Sequence, residues 1–353
     1  MRGSAKALSC LLAFIGVVAP VVSAPAQTPS PTDGFASIYP ALSEFYIDLH
    51  KNPELSLFEE KTSAKMAAQF KRLGFETTEK VGGFGVVGVL RNGDGPAVLL
   101  RADMDALPIK EQTGAPHASS VTMKNWSGEV VPVMHACGHD VHMTSLVGAA
   151  ELLVKAKDSW SGTLILIAQP AEEGFSGAKS MVDAGLFDPA KVGVPKPDFC
   201  LGIHVDAQVP AGSIGITSGP ASASSNAVDI TVYGRGGHGS QPHRTIDPIV
   251  LGARIVTTLQ TIVSREVDPL DSAVVTVGSF HAGTKRNIIP DEAKLSLTVR
   301  TYKPETRERV LAAIARIAKG EAAAAGAAEP LVDFSEGGYD MVTNDPALCE
   351  RLG

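Results

Sequence analysis

The first two-thirds of the chain alternates between helix-like and strand-like hydrophobic patterns. Apolar residues recur at helical spacing in three segments, residues 38–52, 58–73 and 141–157. Continuous or nearly continuous apolar runs predict four strands, residues 81–90, 97–101, 162–168 and 199–205. Strands that alternate with helices in this way indicate an α/β domain whose sheet is mainly parallel.

The pattern changes after about Thr217. Further strands are predicted over residues 227–233, 274–281, 293–300 and 331–334, and further helices over residues 247–267 and 304–319. Their order, β-α-β-β-α-β, predicts a ferredoxin-like α+β domain with a sheet of its own. We interpret it as an insertion over residues 217–330. The first domain then covers residues 36–216, and residues 331–353 return to it.

The N-terminus has the features of a secretory signal peptide over residues 1–26. Arg2 and Lys6 precede an apolar stretch, and Ala24-Pro-Ala26 fits a small-x-small cleavage site. A membrane anchor is the alternative, but the stretch is short for a span and Pro20 interrupts it. Residues 27–35 then form a linker. We expect export, to the periplasm or the medium, with no stable membrane span after cleavage.

Composition argues against nucleic acid as a partner but does not decide whether the cysteines form a disulfide. The 353 residues carry a net charge of −7 with no run of Lys or Arg, and only 5% are aromatic, which argues against a nucleic-acid surface. Cleavage would leave Cys137, Cys200 and Cys349. If Cys137 binds metal, the other two could pair in an oxidising compartment, but one sequence does not decide this.

The segment from His135 to Asp140 holds two metal-binding side chains, Cys137 and His139, one residue apart. They precede a predicted helix, whose N-terminus favours a thiolate, as a bound cation would. Taken alone, Cys137 could be a small buried residue and His139 a helix cap. Acidic residues at nearby strand ends favour metal ligation by both. His135 and His142 are weaker candidates, and packing or support of the pocket suits His142 as well.

Five polar side chains follow or end three of the apolar strands: Asp103, Asp105, Glu172, Glu173 and His204. In open α/β sheets, this C-terminal edge is where ligands bind. One glutamate could bind metal while the other moves protons, and one aspartate could orient a ligand imidazole. The alternatives are a solvated acidic turn for the glutamates and a core position for His204. The combination predicts a hydrolytic metal site.

The inserted domain offers three candidate substrate-binding residues. His238 lies in the glycine-rich loop 234–243, which fits neither a P-loop nor a dinucleotide-binding fingerprint. A merely flexible turn is the alternative, but a histidine in a mobile loop suits polarisation of a substrate carbonyl. Asn287 and Arg300 could bind a substrate carboxylate, for which a guanidinium is well shaped.

Five ordered motifs make the chain resemble the metal-dependent aminoacylase/carboxypeptidase family. The likeness is to its amidohydrolase branch of hippurate hydrolases, N-acyl-amino-acid hydrolases and auxin-conjugate hydrolases, and it spans residues 36–344. The motifs are Leu49-His-Lys-Asn-Pro-Glu-Leu55, Arg101-Ala-Asp-Met-Asp-Ala-Leu-Pro108, His135-Ala-Cys-Gly-His-Asp140, Gln169-Pro-Ala-Glu-Glu-Gly174 and Gly236-Gly-His-Gly239.

The resemblance implies a zinc-exopeptidase-like catalytic domain with two divalent metal ions. A thiolate, imidazole and carboxylate together suit zinc, and manganese, cobalt and nickel are the other candidates. The resemblance implies that the ligands are Cys137, His139, Glu173 and His204. Glu172 would be the general base and acid, and Asp105 the aspartate that supports a ligand. The smaller domain would mediate homodimerisation and cover the site, with His238 reaching the partner's active site. The implied substrate is a small N-acyl amino acid or a dipeptide.

The chain departs from the family's pattern near its C-terminus. The resemblance leads us to expect a last metal-ligand histidine there, but no histidine follows His281 and the sequence stops at Gly353. We therefore expect a chain truncated at this end. Two alternatives to an N-acyl-amino-acid hydrolase stay open. One is a remnant that only binds ligand or dimerises, and the other is a dipeptidase or carboxypeptidase on the same scaffold.

Overall fold

The computed structural model describes residues 32–334 and 338–353. The predicted signal peptide and residues 27–31 of the linker lie outside the described residues. Among the residues that are described, no helix combines the length and the apolar character needed to cross a membrane.

The first unit is a five-stranded sheet covered by helices. Its helices are α1 (Phe35–Lys51), α2 (Glu60–Arg72), α3 (His139–Lys155) and α4 (Gly177–Asp183). Its strands are β1 (Glu76–Val81), β2 (Gly85–Asn92), β3 (Ala97–Asp103), β4 (Thr122–Lys124), β5 (Val130–Pro132), β6 (Gly162–Gln169) and β7 (Phe199–Gly202). The sheet order is β1-β2-β6-β3-β7, and β2 alone runs against the other four. This confirms the prediction of a mainly parallel sheet.

Two hydrophobic clusters pack on opposite faces of this sheet. Leu164 and Leu166 of β6 face the cluster that α1, α2 and α3 complete, whereas Ile165 and Ile167 face the cluster that includes Met181 of α4. Because alternate residues of a strand point to opposite faces, a continuous apolar run is what a strand buried on both sides requires.

Part of the local structure differs from the prediction. Residues 81–90 are not one strand, because a turn at Gly82 and Gly83 separates β1 from β2. Both glycines have positive φ, and a Cβ at Gly82 would lie 2.4 Å from the backbone of α4. Helix α4 and the hairpin of β4 and β5 were not predicted either. They are short, so neither develops a clear hydrophobic period.

The remaining elements belong to the second unit or connect it to the first. The strands are β8 (Gly219–Ser222), β9 (Ser224–Tyr233), β10 (Gly237–His238), β11 (Ala273–Ala282), β12 (Ile288–Ile289), β13 (Glu292–Thr301), β14 (Leu331–Asp333), β15 (Gly338–Tyr339) and β16 (Val342–Asn344). The helices are α5 (Pro248–Thr261), α6 (Pro304–Ala324) and α7 (Pro346–Leu352). A π-helical turn, Ile262–Glu266, follows α5 and accounts for the longer helix that was predicted there.

The second unit has the predicted β-α-β-β-α-β order. Its antiparallel sheet is ordered β11-β13-β9-β14, and its core joins the inner faces of β9 and β13 to α5 and α6. Helix α5 begins where the sequence indicates, because the Asp247 side chain accepts hydrogen bonds from the amides of Ile249 and Val250. A cap followed by proline at the first helical position sets this start.

The predicted boundary at residue 330 is too early. Strand β14 pairs with β9, from Leu331 opposite Thr231 to Asp333 opposite Asp229, and β15 also pairs with β9. The chain leaves the second unit only at β16, which pairs with β8. It then contacts the first unit again, since the Arg351 guanidinium lies 5.3 Å from the centre of the Phe199 ring of β7. Cys200 and Cys349 are both unpaired.

Candidate metal centre

Four segments bring ligand-type side chains to one edge of the first sheet. Strands β3, β6 and β7 are parallel, so the residues that follow them, among them Asp105, Glu172 and His204, gather at the same edge. The fourth segment is the start of α3, which His139 begins. The Cβ of any other residue at Gly138 would lie 2.4 Å from Val205 Cγ2, so glycine allows this loop to approach the segment that carries His204.

The ligand-type atoms lie at the spacing of groups that share an ion. The Cys137 Sγ lies 3.3 Å from His204 Nε2, and His139 Nε2 lies 3.8 Å from Glu173 Oε1. Atoms of Cys137, His139 and His204 lie within 4.8 Å of one another, and so do atoms of His139, Glu172 and Glu173. Ligands held about 2.0–2.3 Å from a zinc-sized ion would have a similar mutual spacing.

His139 joins both groups, and its surroundings favour a positive charge. Its side chain is fully buried, yet its Nε2 has no hydrogen-bond partner within the described residues, and the same holds for Glu173 Oε1. Burial alone would lower the pKa of His139, but Asp105, Cys137 and Asp103 outweigh it and raise the pKa to about 11. Buried polar atoms left without partners are costly, and a bound cation would satisfy them. These residues therefore fit a divalent metal.

Asp105 determines which ring nitrogen of His139 faces the ligand cluster. Its Oδ1 lies 3.3 Å from His139 Nδ1, which leaves Nε2 facing Glu173 and Asp103. Asp105 is itself held, because its Oδ2 accepts hydrogen bonds from the Ser56 hydroxyl at 2.6 Å and from the Glu173 amide at 2.9 Å. A carboxylate behind a ligand imidazole sets the tautomer and raises the basicity of the ligand.

Replacement of Asp105 by alanine should therefore weaken zinc or manganese binding about 10–100-fold, because His139 would lose its orienting partner. Isothermal titration of the metal-stripped protein measures this directly. Asp94→Ala, at an exposed position in the turn before β3, is the matched control and should bind metal as the wild type does. Unchanged affinity in Asp105→Ala would show that His139 is oriented by other contacts.

His142 supports the site without offering a free ligand atom. Its Nδ1 donates to Asp103 at 2.6 Å, and its Nε2 accepts from the Val205 amide at 2.9 Å. The Val205 carbonyl in turn accepts from His204 Nδ1 at 2.7 Å, which leaves His204 Nε2 facing Cys137. Both nitrogens of His142 are used, so the geometry favours the supporting role that the sequence left open.

Glu172 has the environment of a group that exchanges protons. Its side chain is half-buried, and burial, followed by the nearby carboxylates of Glu173 and Asp103, raises its pKa above the ordinary value. A carboxyl whose pKa is moved toward the working pH both accepts and donates protons effectively. Among the carboxylates at this edge, Glu172 thus differs from Asp103 and Asp105, whose pKa values are lowered by their hydrogen-bond donors despite burial.

The candidate residues of the second unit lie apart from this cluster. His238 is in β10, and the amide of the next residue, Gly239, donates to the Asn287 carbonyl at 2.9 Å, so His238 and Asn287 are neighbours. Arg300 is in β13 and donates to the Tyr339 hydroxyl at 2.5 Å. In the part of the chain that the structure describes, no hydrogen bond or ion pair joins these three residues to the ligand cluster.

A second buried network lies behind the start of α3. His50 Nδ1 lies 2.6 Å from Asp140 Oδ2, and His50 Nε2 lies 3.1 Å from Glu111 Oε1. Burial would lower the pKa of His50, but the hydrogen bonds with Glu111 and Asp140 outweigh it and place the pKa above its ordinary value. The network ties α1 to the residue that follows His139. Sequence reasoning missed it because Asp140 and Glu111 are distant from His50 in the chain.

His50→Gln should lower the free energy of unfolding by about 1.5–3 kcal/mol near pH 6, the usual contribution of a charged hydrogen bond. Because the pKa of His50 is raised on folding, its contribution is complete below the unfolded-state value and is lost as the pH rises through the folded-state value. The deficit should therefore shrink when denaturant unfolding is repeated at about pH 9. His243→Gln, at an exposed histidine, is the control, and an equal deficit at both pH values would contradict the charged pair.

Comparison with known proteins gives the same class as the site. A sheet edge that gathers a thiol, imidazoles and carboxylates fits a metal-dependent hydrolase. Residues 99–352 match the model of peptidase family M20/M25/M40, and the chain belongs to this family. The predicted family and fold class are thereby confirmed, and the protein is a hydrolytic enzyme.

Two curated relatives and one solved structure illustrate the similarity. Thermostable carboxypeptidase 2 of Saccharolobus solfataricus is 41% identical over 308 residues, which cover 86% of this chain and 74% of the relative. Hippurate hydrolase of Campylobacter jejuni is 45% identical over 281 residues, covering 78% and 68%. A dinuclear metal-binding peptidase of Bacillus subtilis from family M20 has a TM-score of 0.69 at 33% identity, covering 90% of this chain and 81% of that one.

Proposed function

We propose that this protein hydrolyses the amide bond of N-acyl amino acids, with divalent metal ions held by Cys137, His139, Glu173 and His204. The observation that carries the proposal is the buried His139, which shares one cluster with Cys137 and His204 and another with Glu172 and Glu173. The 45% identity with a hippurate hydrolase supports the substrate class.

The four ligand residues suit a metal of borderline softness. A thiolate, two imidazoles and a carboxylate favour zinc, and manganese, cobalt and nickel are the other candidates. When bound, such an ion supplies a Lewis acid that polarises the amide carbonyl and makes water more acidic. Two ions are the expected number, and similarity to a dinuclear peptidase of the family supports it.

Glu172 performs the proton transfers in this proposal. It accepts a proton from the attacking water and later delivers that proton to the nitrogen of the leaving amino acid. Its raised pKa allows the carboxyl to hold the proton between the two steps. Glu173, the next residue, faces His139 instead, so in this proposal Glu173 binds metal and Glu172 transfers protons.

The second unit supplies the remaining contacts with the substrate. His238 polarises the amide carbonyl, and Asn287 and Arg300 bind the carboxylate of the amino acid. We infer that His238 acts on the site of a partner subunit in a homodimer. The neighbouring positions of His238 and Asn287 are consistent with one substrate-binding surface. Export through the signal peptide 1–26, to the periplasm or the medium, remains part of the proposal.

A peptidase on the same scaffold is the second candidate. The 41% identity with a thermostable carboxypeptidase supports it. The site suits either reaction, because hydrolysis of a peptide bond and of an N-acyl bond uses the same proton transfers. The two candidates differ in what fills the acyl side of the site, so only substrates distinguish them.

Amine release from a panel of N-acyl amino acids and dipeptides tests the proposal. The metal-stripped protein would be assayed after reloading with zinc or manganese and again with chelator. Metal-dependent release from N-acyl amino acids is expected. Release from dipeptides alone would favour the second candidate. No release with any metal, although metal binds, would show a chain that only binds ligand or dimerises.

A further inference from the structure

Glu59 contacts the turn that carries Glu172, although the two residues are far apart in the chain. It is the residue before α2, its side chain is fully buried, and its Oε1 accepts a hydrogen bond of 2.7 Å from the Ala171 amide. Ala171 directly precedes Glu172. A hydrogen bond at this amide therefore fixes the start of the peptide segment that presents the catalytic carboxylate.

The backbone at Ala171 needs such support. Its φ is +49°, in the left-handed region, which costs a residue other than glycine roughly 1–2 kcal/mol. The carbonyl of Ala171 is also held, because it accepts from the Gly177 amide at 3.0 Å. Strained conformations of this kind persist only where surrounding contacts enforce them. Glu59 provides the contact on the amide side.

The turn has two carboxylate anchors with different tasks. Asp105 accepts from the Glu173 amide at 2.9 Å and also faces His139, so it serves the metal ligands. Glu59 accepts from the Ala171 amide at the other end of the turn. Glu172 lies between the two anchored amides, so the direction of its side chain depends on both.

Burial of the Glu59 carboxyl group costs free energy. Its Oε2 is buried and has no hydrogen-bond partner among the described residues. Burial, partly opposed by backbone amides that donate to the carboxylate, raises the pKa of Glu59 to about 7. Leaving a buried polar atom unpaired costs about 1–3 kcal/mol, and an apolar side chain would avoid this cost. The hydrogen bond from the Ala171 amide offsets part of this cost and is the contact that gives a carboxyl group a use at this position.

A neighbouring glutamate provides a natural comparison. Glu54 is also buried, but its Oε2 accepts from the amide and hydroxyl of Thr62, at 2.8 and 2.9 Å. Those contacts stay within the start of α2 and do not reach the turn at Glu172. Substitution of Glu54 therefore disturbs a similar buried carboxylate without touching the catalytic segment.

We propose that Glu59 is a positioning residue, which holds the Ala171 amide and thereby directs the Glu172 carboxylate toward the reacting water. The proposal rests on the proposed role of Glu172 in hydrolysis. Glu59 takes no part in proton transfer itself. Its contribution is to orient the base, and loss of orientation by about 1 Å is enough to reduce a rate about 100-fold.

Three variants of the metal-loaded enzyme test this proposal. Glu59→Met keeps the side-chain volume but removes the acceptor, Glu59→Gln keeps an acceptor, and Glu54→Met is the matched control. Glu59→Met should lower kcat about 10–100-fold with KM and metal content nearly unchanged, since the base is misdirected and the ligands remain. Glu59→Gln should restore kcat to within about threefold of the wild type, and Glu54→Met should retain it.

Hydrogen exchange followed by mass spectrometry gives a second readout that does not depend on turnover. Peptides that contain Ala171 should exchange faster in Glu59→Met but not in Glu54→Met, where faster exchange is expected at Thr62 instead. An unchanged kcat in Glu59→Met, or an equal loss in Glu54→Met, would overturn the proposal. Unchanged exchange at Ala171 would do the same. If the wild type is inactive on all substrates, the proposed function fails, whereas exchange still shows whether Glu59 holds the turn.

Discussion

Replacement of Glu172 by glutamine should lower kcat about 100- to 10,000-fold while the metal content stays unchanged, because the variant retains the ligands but lacks the proton acceptor. Glu172 has a raised pKa. The close contacts of the His139 nitrogens are with Asp105 and Glu173, so replacing Glu172 leaves them in place. The assay is amine release by the metal-loaded variant, with metal counted by atomic emission on the same sample.

The adjacent glutamate supplies the control for this experiment. Glu173→Gln should lose metal as well as activity, since Glu173 Oε1 faces His139 Nε2 at 3.8 Å. The two variants remove the same charge from neighbouring positions in one turn. If Glu172→Gln kept its activity to within a few-fold of the wild type, Glu172 would not be the base. If it lost metal as Glu173→Gln does, both glutamates would be ligands.

His139→Ala should abolish metal binding in the micromolar range and leave no detectable turnover, because His139 belongs to each group of candidate ligands among the described residues. A ligand at 100 times its Kd stabilises the folded state by about 2.7 kcal/mol, so the wild type should melt at a higher temperature when zinc is added. That increase should vanish in His139→Ala. His281→Ala, at an exposed histidine of the second unit, should keep it.

Calorimetric titration with zinc checks the same prediction without heating. A variant that still bound zinc with wild-type affinity would show that Cys137, His204 and the carboxylates form the site by themselves. This outcome would contradict the role of His139 as the shared ligand, on which the proposed function depends.

Sequence patterns predicted most of the structure that brings the candidate ligands together. Apolar runs identified β3, β6 and β7, and the polar residues at their ends meet at one edge because parallel strands share a direction. The pattern of helix-like and strand-like segments after Thr217 likewise predicted the order of the main elements of the second unit along the chain. These features are local in the chain, so hydrophobic period and turn residues are enough to find them.

The contacts that support the site could not be predicted in the same way. Glu59 meets Ala171, and His50 meets Asp140, across long stretches of chain, and no local spacing indicates such pairs. The left-handed backbone conformation of Ala171 could not be predicted either, because alanine seldom adopts this conformation and its presence in a sequence does not indicate it. The predicted domain boundary at residue 330 left β14 out of the second unit, because its pairing with β9 is a long-range contact that no local pattern indicates.

The ladder between β8 and β16 makes the second unit separable from the first. Its antiparallel pairing, with Gly219 opposite Asn344, holds the two ends of the insertion as close as neighbouring strands, about 4.7–4.9 Å apart. For the first unit, the whole insertion is therefore equivalent to the loop of a β-hairpin. A short turn in its place would close the same ladder, and the chain offers this pair of strands as the natural point at which to exchange or remove the entire module.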